Sequence, residues 1–213
     1  MRFLFPALTV AVACACVANA QVLVTPRVQD VDLRKLPASP VWTPGSPVRE
    51  VPDLKRTDTA GAAPVTLGAF TMRLVERSVV VLGADGGRLA GPLPFGSLWP
   101  PAAEPCGVDV EWPPTVHVDR QAARWVIARR FQPMPDRTVP YCVAVSRQDD
   151  PVAGGWWLFS FALPDGQYEE QPLEISGNAY RLAGKSGGRA VQITFDRAAM
   201  LAGKPAGFTV SAR

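Results

Sequence analysis

The sequence predicts an all-β protein: antiparallel sheets of hairpins over residues 65–213, preceded by a signal peptide over 1–20 and a proline-rich arm over 21–64. Three observations carry that prediction. From Val65 onward, short runs rich in β-branched and aromatic residues are separated by turn residues, with hardly a helical window among them. The opening MRFLFPALTVAVACACVANA has the basic start, apolar core and small-residue end of an export signal. Cys106 and Cys142 stand outside that signal and bracket VHVDRQAARWVIARRF, whose alternation is the clearest in the chain; such a pair fits an oxidising compartment.

Taken in order, the signal has Arg2 as its charge, an apolar run from Phe3 to Val17 and a cleavage site at Ala18–Asn19–Ala20, which places the cut before Gln21. The run is too short for a transmembrane anchor, since a span takes roughly 20 apolar residues. The mature chain is therefore expected to carry no transmembrane segment and to reside in the periplasm or outside the cell. A lipid-anchored form is the alternative, because Cys14 and Cys16 each follow an alanine, though the leucine usual in such signals is missing. The arm that follows, with VTPRVQD, LPASPVWTPGSPVRE and VPDLKRTDTAGAAP, is dense in proline and keeps no period of two or of 3.6. It cannot bury enough apolar area to offset its ordering entropy, so an extended or disordered leader is expected. Trp42 is the residue in it able to dock on the body of the protein or on a partner.

Once Cys14 and Cys16 leave with the signal, Cys106 and Cys142 can form one bridge with no ambiguity of connectivity. In the entropy model this bridge restricts the unfolded chain by roughly 4 kcal/mol. One histidine and two cysteines do not complete a zinc site without carboxylates, so no cofactor or metal is assigned to the thiols. The formal charge is +3, one less without Arg2, which does not argue for nucleic acid. Arg120, Arg124, Arg129, Arg130 and Arg147 cluster, and a solvated rim of a hairpin accounts for them.

Within the domain, FTMRLV and SVVVL read as two strands joined at Glu76 and Arg77, and Ala84–Asp85–Gly86–Gly87 makes the next turn before RLAG. VVVLGADGG imitates the start of a dinucleotide fold, but G-x-G-x-x-G is absent and RLAGPLPFG holds two prolines where a helix should follow. TVHVD and RWVIARRF then alternate around DRQAA, PYCVAVS repeats the pattern, and WWLFSFAL follows DDPVAGG, so successive antiparallel strands are expected. At the end, RAVQITF is a strand, Asp196 caps a short helix RAAMLAG closed by Gly203, and GFTVSAR is extended again.

These runs, from FTMRLVERSVVVLGADGGRLAGP through CGVDVEWPPTVHVDRQAARWVIARRF and PYCVAVSRQDDPVAGGWWLFSFAL to NAYRL and TFDRAAMLAGKPA, resemble a segment of large, uncharacterised secreted bacterial proteins with β-propeller-like strand repeats. The resemblance covers nearly everything after the arm and implies a partial propeller, or a sandwich, since the length suits three four-stranded blades and closed propellers use at least four. It implies no activity. The chain departs from that pattern at Trp112–Pro113–Pro114 and at Ser176–Gly177–Asn178, where the relatives place carboxylates, so any acid, base or calcium role there is lost. SRQDDPVAGGWW resembles the Asp-turn-Gly-aromatic hairpin of sialidase-type blades with stretched spacing.

The candidates for chemistry are few. His117, the only histidine, shares a strand face with Asp119, and with Asp150 these are the groups available for acid and base work, yet no G-x-S-x-G nucleophile accompanies them. Asp149 and Asp150 read as turn formers, with calcium binding through them and backbone carbonyls as the alternative. Trp156 and Trp157 point to opposite faces of their strand, so one is expected in the core and the other exposed or covered by the arm, where it could stack on a ligand. The sequence thus reads as an exported, non-catalytic β-domain that binds a protein or glycan of the envelope; a degenerate propeller-type hydrolase is the alternative.

Overall fold

The computed structural model describes residues 22–36, 63–75, 78–99, 105–107, 114–168 and 173–213. The expected signal peptide with Cys14 and Cys16, residues 37–62 of the expected arm with Trp42, the Glu76–Arg77 turn and Trp112–Pro113 lie outside the described residues.

Strand β1 (Arg27–Gln29) comes from the segment assigned to the arm and pairs antiparallel with β9 (Trp156–Leu163). The same segment continues into a 3₁₀ turn at Leu33–Lys35, capped by Asp32, whose carboxylate accepts from Arg34 N at 2.9 Å. Leu33 is buried, and its N–H donates to the Val152 carbonyl at 2.9 Å. A short apolar anchor is sufficient to order these residues even though the surrounding sequence lacks a period.

The body is three successive up-and-down meanders. The first is β2 (Val65–Leu67), β3 (Phe70–Val75), β4 (Ser78–Leu82) and β5 (Arg88–Pro94). The expected hairpin at Asp85 is present: the Asp85 carboxylate accepts from Gly87 N at 2.9 Å, and Gly86 adopts φ +77°. β4 and β5 slip register between Val79 and Val81, where Gly91 takes φ +90° and a Cβ would lie 2.3 Å from the Val79 carbonyl oxygen. Only glycine fits that close approach.

The second meander is β6 (Thr115–Asp119), β7 (Arg124–Arg130), β8 (Val139–Ser146) and β9, and β1 extends it to five strands. The third places β12 (Ala179–Ser186) between the short β10 (Gln167–Tyr168) and β11 (Glu174–Ser176) on one side and β13 (Arg189–Asp196) on the other, with β14 (Phe208–Ala212) at the edge. Helix α1 (Arg197–Leu201) links β13 to β14, and Asp196 caps it by accepting from Ala199 N at 3.0 Å. The fold is thus all-β and antiparallel with one short helix among the described residues, and its sheets close into neither a barrel nor a propeller.

Every residue of β8 is buried, because the central sheet is covered on both faces. Trp125, Ile127, Cys142, Ala144, Trp156 and Leu158 pack with Met72, Val79, Val81, Leu93 and Phe95 of the first meander and its flank. The alternate residues, among them Val126, Tyr141, Val143, Phe159 and Phe161, pack with Tyr180, Leu182, Ile193, Phe195 and Met200 of the third. At roughly 1.5–3 kcal/mol for each large apolar side chain removed from water, these two cores are the main source of stability. β8 divides the labour by size: small Cys142 and Ala144 face the core that holds Trp125 and Trp156, and bulkier Tyr141, Val143 and Val145 face the other core. Cys142 is bridged to Cys106, Cα to Cα 5.9 Å, which ties the 105–107 turn into the first core.

Candidate functional site

Two of the polar groups named from the sequence, His117 and Asp119, sit on β6, which meets the third meander at Asp119. Asp119 ends that strand fully buried. Its Oδ2 accepts from Arg197 Nε at 2.6 Å and from the Tyr180 hydroxyl at 2.8 Å; its Oδ1 accepts from Arg197 Nη2 at 2.8 Å and from Ala122 N at 3.0 Å. Burial alone would raise the Asp119 carboxyl, but the Arg197 guanidinium, the Ala122 N–H and the Tyr180 hydroxyl hold it below its ordinary value. Burial and the bond to Asp119 push the Tyr180 hydroxyl upward. A carboxylate held ionised by four donors is a poor proton acceptor, and its geometry suits a clamp between β6, β12 and α1.

His117 lies two residues back, opposite Val126. Burial lowers its pKa to about 4, so the ring is neutral near pH 7, and its Nε2 has no hydrogen-bond partner among the described residues. No hydrogen bond joins it to Asp119, so the two do not form a relay.

Asp150 lies elsewhere, in the β8–β9 turn. Its Oδ1 accepts from Val152 N at 2.7 Å and Ala153 N at 3.1 Å, and its main-chain oxygen accepts from Gly154 N at 3.2 Å. The Asp149 main-chain oxygen accepts from Trp125 Nε1 at 2.9 Å. Both residues therefore shape a turn. Among the described residues no three His, Cys, Asp or Glu side chains gather as a metal site.

Trp156 is fully buried, its indole N–H donating to the Pro151 carbonyl at 3.1 Å. Trp157 is half-buried on the opposite face. The Arg147 guanidinium lies 4.8 Å from its ring centroid, and a Cβ on Gly203 would come 2.4 Å from the ring. Arg147 also ion-pairs with Asp30 of the amino-terminal segment. The indole is thus packed by the protein's own cation and backbone, and Asp30, Arg147 and Trp157 together form a charged and aromatic seam.

Sequence reasoning missed Arg197, Tyr180, Arg147 and Asp30 as partners. Arg197 is 78 residues from Asp119 and Asp30 is 117 from Arg147, and no local pattern signals such pairs. The arginine cluster also differs from a solvated rim: Arg129 is buried, with its guanidinium 5.6 Å from the Phe95 ring centroid and 5.5 Å from that of Phe131. It falls on the same strand face as Trp125 and Ile127, so the first core takes it in.

Among the described residues no helix is long and apolar enough to cross a membrane. Comparison with protein-family models, with curated proteins and with solved structures returned no match for this chain.

Proposed function

We propose that this chain is an exported, non-catalytic β-domain that binds or scaffolds at the cell envelope or outside the cell, built as an open stack of three propeller-type blades. The observation that carries the reading is the clamp on Asp119, which engages the best-placed carboxylate in holding two meanders together. The bridge between Cys106 and Cys142 supports an oxidising compartment. Face-to-face packing of successive meanders supports the blade description.

The seam of Asp30, Arg147 and Trp157 is the surface assigned to the ligand, a protein or glycan presenting both charge and an apolar face. The test is a pull-down of envelope fractions together with a glycan-array screen, using the purified protein and its Arg147→Ala variant. Retention of a defined component by the wild type and its loss in the variant supports the reading. Clean negatives from every fraction and glycan would remove it.

A further inference from the structure

Among the described residues, β1 and β6 end the central sheet, β2 and β5 the first, and β14 one side of the third. An uncovered sheet edge is a template for another strand, and proteins normally blunt it with shortness, charge, proline or a bulge. β1, β2, β10 and β11 are two or three residues long. β5 carries Pro92, Pro94 and the bulge near Gly91. β6 carries Asp119, and its residues are all half-buried or buried. β14 has none of these protections: Phe208–Thr209–Val210–Ser211–Ala212 is regular, without charge or proline, and four of its five residues are exposed.

The pairing with β13 determines which backbone groups remain open. Asp196 N donates to the Gly207 carbonyl at 3.1 Å and Arg213 N to the Ala190 carbonyl at 3.2 Å, so the odd-numbered residues turn their peptide groups toward β13. Phe208, Val210 and Ala212 consequently direct N–H and C=O to the outer side. The isolated antiparallel bridge between Val24 and Ala206 sits on this same outer edge, and among the described residues no backbone pairing continues from it along Phe208–Ala212. Val210 also lies opposite Ile193 in register, yet Ile193 is 0% exposed and Val210 is 44% exposed. The core-facing side of the sheet is thus left uncovered at this residue.

We propose that the outer edge of β14 is a homodimer surface, on which a second copy of this chain adds its own β14 antiparallel about a twofold axis at Val210. The five residues are self-complementary in that arrangement. Val210 meets Val210 of the second copy, with their outward N–H and C=O groups exchanging a reciprocal pair of hydrogen bonds. Phe208 faces the small Ala212, and Thr209 faces Ser211 at a non-hydrogen-bonded pair, hydroxyl against hydroxyl. A foreign extended segment could satisfy the backbone, but this matched order of large with small and hydroxyl with hydroxyl belongs to the chain's own strand. The third sheet then runs without a break through both copies, and Val210 becomes covered.

The test is sedimentation velocity on the purified protein over a wide concentration range, alongside Val210→Lys, which places a charge on the edge without touching the β13 ladder. The wild type is expected to shift from monomer toward dimer with concentration, and Val210→Lys to remain monomeric with wild-type circular dichroism. Register is read independently by oxidising Thr209→Cys and Ser211→Cys variants. Covalent dimers should form when the two are mixed and far more slowly for either alone, which holds whether or not Val210→Lys folds. A monomer at every concentration, a dimer indifferent to Val210→Lys, or cross-linking of Thr209→Cys alone as fast as in the mixture overturns the proposal. Capture of a foreign peptide by β14 without self-association overturns it equally.

Discussion

Arg197 grips Asp119 through one edge of its guanidinium, Nε on Oδ2 at 2.6 Å and Nη2 on Oδ1 at 2.8 Å, inside the junction between the second and third meanders. The pair is almost entirely out of water, 8% and 0% exposed at the side chains, so each partner depends on the other for its charge to be tolerated.

Removing one partner leaves a buried, uncompensated charge. Arg197→Ala is expected to destabilise the protein by about 3–5 kcal/mol. Replacing both by apolar residues of similar volume, Asp119→Leu with Arg197→Met, should recover much of that loss. Urea denaturation of the two single variants and the double variant checks this; a double variant as unstable as the worse single one would contradict a charge-pair origin.

His117 should make stability depend on acid. Its folded pKa of about 4 lies below the ordinary 6.5, so between these values the unfolded chain binds more protons. Stability therefore rises with pH across that window and is lost as pH falls through it, by about 3 kcal/mol for the full shift. In His117→Leu the dependence between pH 6.5 and 4 should flatten relative to wild type. Parallel urea curves at several pH values measure the difference.

Gly203 should be far less tolerant than Gly177, although both have positive φ, +62° and +56°. A methyl at 177 meets nothing within 4 Å, whereas at 203 it runs into the Trp157 ring at 2.4 Å. Gly177→Ala is expected to cost about 1–2 kcal/mol from the left-handed backbone alone. Gly203→Ala adds about 1–3 kcal/mol of overpacking to the same penalty. Equal melting temperatures for the two variants would show that the indole yields freely.

The Cys106–Cys142 bridge spans 36 residues and ends inside the first core. Its loss in a Cys106→Ser/Cys142→Ser variant should lower stability by about 4 kcal/mol, chiefly by freeing the unfolded chain. Midpoints in urea for the bridged and the variant protein give the comparison, and intact mass under non-reducing conditions reports the bridge itself.

Much of the local structure was legible in the residues. TVHVD, RWVIARR, SVVVL and RAVQITF become strands because period-two alternation and β-branching favour a pleated surface whatever lies beyond it. Asp85–Gly86–Gly87 makes a turn and Asp196 caps α1, because each needs only neighbours a few residues away. The site was less legible. Asp119 was visible as a carboxylate beside His117, but Arg197 and Tyr180 reach it from strands and a helix far along the chain.

By itself, then, the sequence determined the antiparallel β character and the hairpin turns, since alternation and turn chemistry act over short range. Tertiary structure alone decided that the central sheet is buried on both faces, that Leu33 and β1 join the body, that Arg129 enters the core, and that Asp119 becomes a clamp. Those outcomes depend on which surfaces meet. Apolar burial sets the meeting, and the charges caught between the layers must then find partners wherever the chain brings them.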